Sequence, residues 1–119
     1  MFTGIILAIG KIAAIDRRAG DCRLKIDTAN LSLNDVLLGD SIAVNGVCLT
    51  AVELGEHFFY ADVSNETLSR TILNTSTVGT SVNLELALTP SARMGGHIVS
   101  GHVDGIGFVT EKKADGRSF

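Results

Sequence analysis

Apolar and polar residues alternate along much of this chain with a period of two. Residues 21–27 read Asp-Cys-Arg-Leu-Lys-Ile-Asp, with Cys22, Leu24 and Ile26 on one face and charges on the other. That is the pattern of a half-buried strand. Residues 58–63 set Phe59, Ala61 and Val63 against Phe58, Tyr60 and Asp62. Residues 81–88 set Val82, Leu84, Leu86 and Leu88 inward, with Ser81, Asn83 and Glu85 outward. A first strand is predicted near residues 4–15, joined to the strand at 21–27 by a turn over Asp16–Gly20. Asn45-Gly46 tolerates positive φ between two apolar arms, a strong hairpin signal, and Gly55-Glu56 separates strands at 47–54 and 57–63. Two helical pieces interrupt the strands. One short turn of helix is predicted over 30–37. Another, capped by Ser64 or Asn65, runs to about Leu73, with Glu66 in its first turn and Leu68 and Ile72 on one face. Short strands joined by tight turns, with a cap helix, predict an all-β domain: a small, closed antiparallel barrel, which leaves no strand edge exposed.

Composition narrows the functional classes. The 119 residues fit one domain, and 45% hydrophobic with 19% charged residues supplies a packed core. The net charge is −3 and the ten basic residues are scattered, with Arg17-Arg18 their largest group. A nucleic-acid surface needs a basic patch, so no nucleic-acid partner is expected. No apolar run approaches the roughly 20 residues of a membrane helix. The N-terminus also lacks the basic region of a signal peptide. A cytoplasmic protein without a membrane partner is expected. Cys22 and Cys48, without CxxC spacing, read as free thiols and make a weak case for zinc.

Four places carry candidate chemistry. The densest is Gly95-Gly96-His97-Ile98-Val99-Ser100-Gly101-His102-Val103-Asp104-Gly105. Its glycines let backbone approach a ligand, and its histidines titrate near neutral pH. A metal site would need a third ligand that nothing nearby supplies, and a plain glycine-rich linker explains the composition equally well. In Asn45-Gly46-Val47-Cys48-Leu49-Thr50, Cys48 and Thr50 share one strand face. They line a pocket, or Cys48 is simply a small buried hydrophobe; a reactive thiolate would need a cation such as His102. Asp62 to Thr67 groups polar side chains where a strand meets a helix, as capping residues or as partners for a polar ligand. Ser41, in Gly39-Asp40-Ser41, fits turn chemistry, and Phe2 is either a frayed end or an aromatic lid.

The chain also echoes itself. Gly4 matches Gly101, Ile9 matches Ile106 and Gly10 matches Gly107, while Ile6 and Ile12 meet Val103 and Val109. The expected organisation is a first barrel repeat over 1–97 and the start of a second, truncated repeat over 98–119.

Together, Met1-Phe2-Thr3-Gly4-Ile5-Ile6, Val44-Asn45-Gly46-Val47-Cys48-Leu49-Thr50, Asn65-Glu66-Thr67-Leu68 and Met94-Gly95-Gly96-His97 through Ser100-Gly101-His102-Val103-Asp104-Gly105 resemble the riboflavin synthase family. The resemblance implies a six-stranded antiparallel Greek-key β-barrel, one of two in a homotrimeric enzyme, that binds 6,7-dimethyl-8-ribityllumazine. In that family two bound lumazines exchange a four-carbon unit to give riboflavin and 5-amino-6-ribitylamino-uracil, with no metal or other cofactor. It further implies ligand contacts at Gly4, Ile5, Ile6, Cys48, Leu49, Thr50, Asp62, Val63, Ser64, Asn65, Glu66, Thr67, Gly101, His102 and Val103. Phe2, Ser41, Cys48 and His102 match the positions given catalytic influence: His102 as proton shuttle, Ser41 or Cys48 beside a nucleophilic water. Lumazine synthase is an implied partner of the full-length enzyme, and this chain alone is expected to form a homodimer with little or no native turnover. The alternative is a non-catalytic lumazine- or flavin-binding antenna protein of the same fold.

Overall fold

The computed structural model describes residues 1–119. Six strands form the barrel: β1 (Ala8–Arg18), β2 (Asp21–Asp27), β3 (Ser41–Val44), β4 (Val47–Leu54), β5 (Phe58–Ser64) and β6 (Ser81–Leu86). They close in the order β1-β2-β5-β4-β3-β6, with every neighbouring pair antiparallel. β3, β4 and β5 follow one another as hairpins, and β2 lies beside β5, which is a Greek key. A short helix, α1 (Asn65–Arg70), and a 3-10 turn (Ile72–Thr75) bridge β5 to β6.

Alternation places the core as expected. Cys22, Leu24 and Ile26 of β2, Phe59, Ala61 and Val63 of β5, and Val82 and Leu84 of β6 are buried inside, with Ile42, Val44, Val47, Leu49 and Ala51 from β3 and β4. Each fully buried large side chain contributes roughly 1.5–3 kcal/mol of hydrophobic stabilisation. Leu33, Leu68 and Leu73 join the same cluster from outside the strands. Asn45 and Gly46 adopt φ of 49° and 77°, the paired left-handed conformation that a two-residue hairpin turn requires.

Several boundaries differ from the sequence pattern. β1 starts at Ala8 and not near residue 4, because Gly4 bends the chain at φ 85°. β1 runs on to Arg18, so the turn is only Ala19-Gly20. Registers slip at Ala13 against β2 and at Val52 against β5. Each bulge adds a residue and reverses the alternation, so Ile15 and Leu54 pack toward the core. β6 ends at Leu86, leaving Leu88 outside the ladder.

Residues 30–37 form turns and no helix. Local side chains capture the backbone instead: Asp27 Oδ1 accepts from Ala29 N at 2.8 Å, Thr28 Oγ1 donates to Leu31 O at 2.9 Å, and Asp40 Oδ2 accepts from Leu37 N at 2.9 Å. The second helix breaks at Thr71, whose φ of −135° is extended. Its hydroxyl accepts from Leu73 N, starting the 3-10 turn. Ile72 is thereby turned out, at 51% exposure, and Leu73 takes the buried place expected of it.

Glu85, expected outward and solvated, does point away from the barrel axis but is buried. The N-terminal segment lies over it. Residues 102–114 carry no strand, so the echo of Gly4–Ile12 in Gly101–Val109 does not correspond to matching elements here.

Candidate functional site

The outer face of β6, β3 and β4 builds the site. Glu85 pairs with Ala43, and Ala43 with Cys48, so these three residues form one row across the barrel wall. Two segments far apart in sequence cover that row. Phe2 N donates to Val99 O at 2.8 Å, Val99 N donates to Phe2 O at 2.9 Å, and His97 N donates to Thr3 O at 2.9 Å. The paired segments are moored to the wall at two points. Cys48 N donates to Gly101 O at 2.9 Å. Glu85 accepts from Thr3 N at 2.6 Å, Thr3 Oγ1 at 2.7 Å and Gly4 N at 3.1 Å.

Phe2 is consequently no frayed end: it is 2% exposed. Gly101 sits between it and Cys48 at φ 78°, where an added Cβ would lie 2.9 Å from Cys48 Cβ and 3.2 Å from Phe2 Cε2. Only glycine combines that conformation with that space.

Two cavities flank Gly101. One, of about 200 Å³, is walled by Cys48, Glu66, Thr67, Arg70, Gly101, His102 and Val103, with Val47 and Thr71 beneath. The other, of about 90 Å³, has Phe2, Gly4, Ile6, Ala43, Glu85 and Val99 among its walls. The larger is open and mixed in character. Cys48 is half-buried, while His102 and Arg70 are exposed at its mouth. Arg70 Nη1 donates to Asp104 O at 3.1 Å, and its Nε lies 3.3 Å from Glu66 Oε1. Arg70 thus ties α1 to the 101–104 segment and fixes the width of the mouth. A cavity with main-chain groups, a thiol, a hydroxyl, an imidazole, a guanidinium and a carboxylate along its rim suits a polar, hydrogen-bonding ligand. No three His, Cys, Asp or Glu side chains are grouped to hold a cation.

The remaining sequence-predicted residues lie elsewhere. Ser41 and Thr50 face each other across β3 and β4, on the same outer face as Cys48 but outside the cavity lining. Leu49 and Val63 are buried in the core, so only their main chain is available to a ligand. Asp62 is held by Arg23 through two bonds of 2.7 and 3.0 Å. That hydrogen bonding keeps its carboxyl below the usual aspartate range, against the opposing effect of burial. Ser64 caps α1 by accepting from Thr67 N at 3.2 Å, and Asn65 N donates to Gly20 O. Ile5 lines a further groove with Thr3, Leu7, Glu85 and Arg93. Burial pushes the Cys22 thiol up, in line with a core role.

Comparison with known proteins places the chain in a family. A family model for the lumazine binding domain matches residues 3–87. This chain belongs to the lumazine-binding domain family. The riboflavin synthase of Photobacterium phosphoreum is 52% identical over 118 residues, covering 99% of this chain and 54% of that protein. The chain therefore spans about half the length of the curated relatives it matches. Among solved structures, LumP complexed with riboflavin superposes with a TM-score of 0.76 at 28% identity, over 88% of this chain and 56% of LumP. LumP complexed with 6,7-dimethyl-8-(1'-D-ribityl) lumazine gives 0.71 at 28% identity, over 88% and 55%.

Within this lumazine-binding domain, sequence reasoning missed Arg70 and Glu85. Arg70 was legible: it follows Glu66 by four residues, the spacing of an ion pair on one helix face. Glu85 carried no such signal. Alternation placed it outward, and nothing local announced that Thr3 and Gly4 would cover it.

Proposed function

We propose that this chain is the N-terminal ligand-binding half of a riboflavin synthase. The full-length enzyme joins two 6,7-dimethyl-8-ribityllumazine molecules, passing a four-carbon unit from one to the other. It releases riboflavin and 5-amino-6-ribitylamino-uracil. The observation that carries the reading is the convergence of Cys48, Glu66, Thr67 and Gly101–Val103 on one cavity, with Phe2 packed against Gly101 beside it. Its support from outside the chain is the 52% identity to a riboflavin synthase, against 28% to LumP, which favours the enzyme over a non-catalytic antenna protein.

The chemistry fits such a site. The C7 methyl of the lumazine is acidic because its anion delocalises into the ring, so a modest base suffices. Most of the rate then comes from holding two ligands in register. The cavity of about 200 Å³ is open on one side. It takes one face of a ligand and leaves the other for a molecule held by a second barrel. His102 at the rim moves the proton, and Cys48 or Ser41 orients the water that adds at C7. In this reading residues 98–119 begin the second barrel, the full-length protein is a cytoplasmic homotrimer, and lumazine synthase supplies its substrate.

The test is riboflavin formation by the full-length protein supplied with the lumazine alone. The expected result is turnover without added cofactor, falling on the order of a hundredfold in His102→Ala, the usual size of general acid–base help. A full-length protein that binds the lumazine but forms no riboflavin would be an antenna protein.

A further inference from the structure

We infer that Glu85 is a positioning residue that latches the N-terminal segment over the Cys48 face and so holds the lumazine site shut on one side. The inference rests on the proposed function for its consequence, but its geometry stands alone. Glu85 is 5% exposed, although it points away from the hydrophobic interior. A carboxyl group on the outside of a barrel is ordinarily solvated, and burying one requires partners. Glu85 has three, all from one dipeptide: the amide and hydroxyl of Thr3 and the amide of Gly4. Thr3 Oγ1 in turn accepts from Ile5 N at 3.0 Å, which fixes the hydroxyl hydrogen toward Glu85.

The bonds around Glu85 form a closed circuit. From Glu85 the path runs through Thr3 to Phe2, across the Phe2–Val99 bridge, along the chain to Gly101, and through Gly101 O to Cys48 N. It returns through Ala43, which pairs with both Cys48 and Glu85. Within this circuit Glu85 supplies the side-chain link from the barrel wall to residues 3 and 4. Leu7 N–Leu84 O lies downstream of the Gly4 bend, and Met1 O, which accepts from Leu88 N, lies upstream. Without the latch, Thr3 N and Gly4 N lose their acceptor, and the segment loosens as the half-buried Thr3 amide turns to water. Phe2 and the 97–101 segment loosen with it, because Phe2, His97 and Val99 are bonded within the two segments and Gly101 O–Cys48 N is the one main-chain bond from 97–101 to a strand.

Glu85 is not among the residues that wall the larger cavity, so its effect on a ligand there runs through Phe2 and Gly101. Gln at this position keeps the size but offers one acceptor oxygen, and its amide hydrogens would meet the Gly4 N–H.

The experiment pairs amide hydrogen exchange with riboflavin titration, on wild type, Glu85→Ala and Glu85→Gln. The expected result in both variants is faster exchange at Phe2, His97, Val99 and Cys48, with unchanged protection in β2 and β5. Riboflavin affinity falls about tenfold or more, as donors left unpaired would cause. If Glu85→Ala loses β2–β5 protection as well, Thr3→Val carries the test. It removes one of the three donors without touching the barrel, and gives the same local pattern with a smaller loss. Unchanged exchange at the four amides overturns the latch. Local loosening with undiminished riboflavin affinity overturns its role in the site. Should wild type itself fail to bind riboflavin or the lumazine, the proposed function is refuted, while the exchange data still decide the latch.

Discussion

Asp62 and Glu85 are both carboxylates on the outer face of a strand, and they meet opposite fates. Glu85 is roofed over by Thr3 and Gly4, whereas the Asp62 side chain stays 39% exposed beside Arg23. Asp62 is therefore a stability group and its effect depends on pH. Its folded carboxyl is held below the ordinary value of 3.8 by the Arg23 hydrogen bonds. A depressed folded pKa stabilises above the unfolded pKa, and that stabilisation is lost as pH falls through the folded value. Solvent screens an exposed pair, so the contribution is small. Asp62→Asn is expected to lower the urea midpoint slightly at pH 7, with the gap from wild type closing as pH drops below 3.8. A gap that persists unchanged into acid would show that the Arg23 pair is not its cause. At this scale alternation showed which strand residues were polar and outward, Asp62 and Glu85 among them. It did not show which outward residues would be covered, because the cover comes from residues 1–4 and 97–101, remote in sequence from β3 and β4.

The short helix α1 shows how an element serves the site. Ser64 starts it, and its first two turns present Glu66, Thr67 and Arg70 to the cavity. Ser64→Ala removes the cap and is expected to cost about 1 kcal/mol of stability. Because the helix has only six residues, fraying reaches Thr67 at once, so riboflavin affinity falls with stability. Urea unfolding and a riboflavin titration on the same variant check both; lost stability with intact affinity would detach α1 from the ligand. The capping pattern and the Asn45-Gly46 hairpin were legible because both are local, decided within about four residues. The break at Thr71 and the missing helix at 30–37 were not. There, single hydroxyl and carboxylate bonds to nearby backbone outcompete a helix whose apolar spacing alone looked adequate.

For the molecule as a whole, closure of the barrel leaves no strand edge to pair, so association must use side chains. Ile5, Ile6, Leu7 and Ile9 are exposed in succession, and Ile98 and Val99 are exposed on the segment that pairs with residues 2 and 3. A contiguous apolar surface of this kind marks an interaction site. In the proposed two-barrel enzyme the second repeat would occupy it by approximate twofold symmetry. A lone first repeat is expected to satisfy the same surface with a copy of itself. Sedimentation of this chain at micromolar concentration is expected to give a dimer, and Ile6→Asp with Ile9→Asp together a monomer. A wild-type chain that sediments as a monomer throughout that range would remove the surface from the account.

The division between sequence and structure follows from the range of each interaction. Period-two alternation states which side of a strand faces the interior. It therefore determined the all-β barrel and the core faces of β2, β5 and β6, while the bulges at Ala13 and Val52 reverse the count in β1 and β4 and Leu33, Leu68 and Leu73 enter from outside the strands. Alternation is silent about what lies above the outer face. Phe2 against Gly101, and Glu85 beneath Thr3, were decided only when closure of the barrel brought residues 1–4 and 97–101 together over one wall. Periodicity records the solvent boundary of a single strand, while a site is made by segments that share no periodicity and meet only in the folded chain.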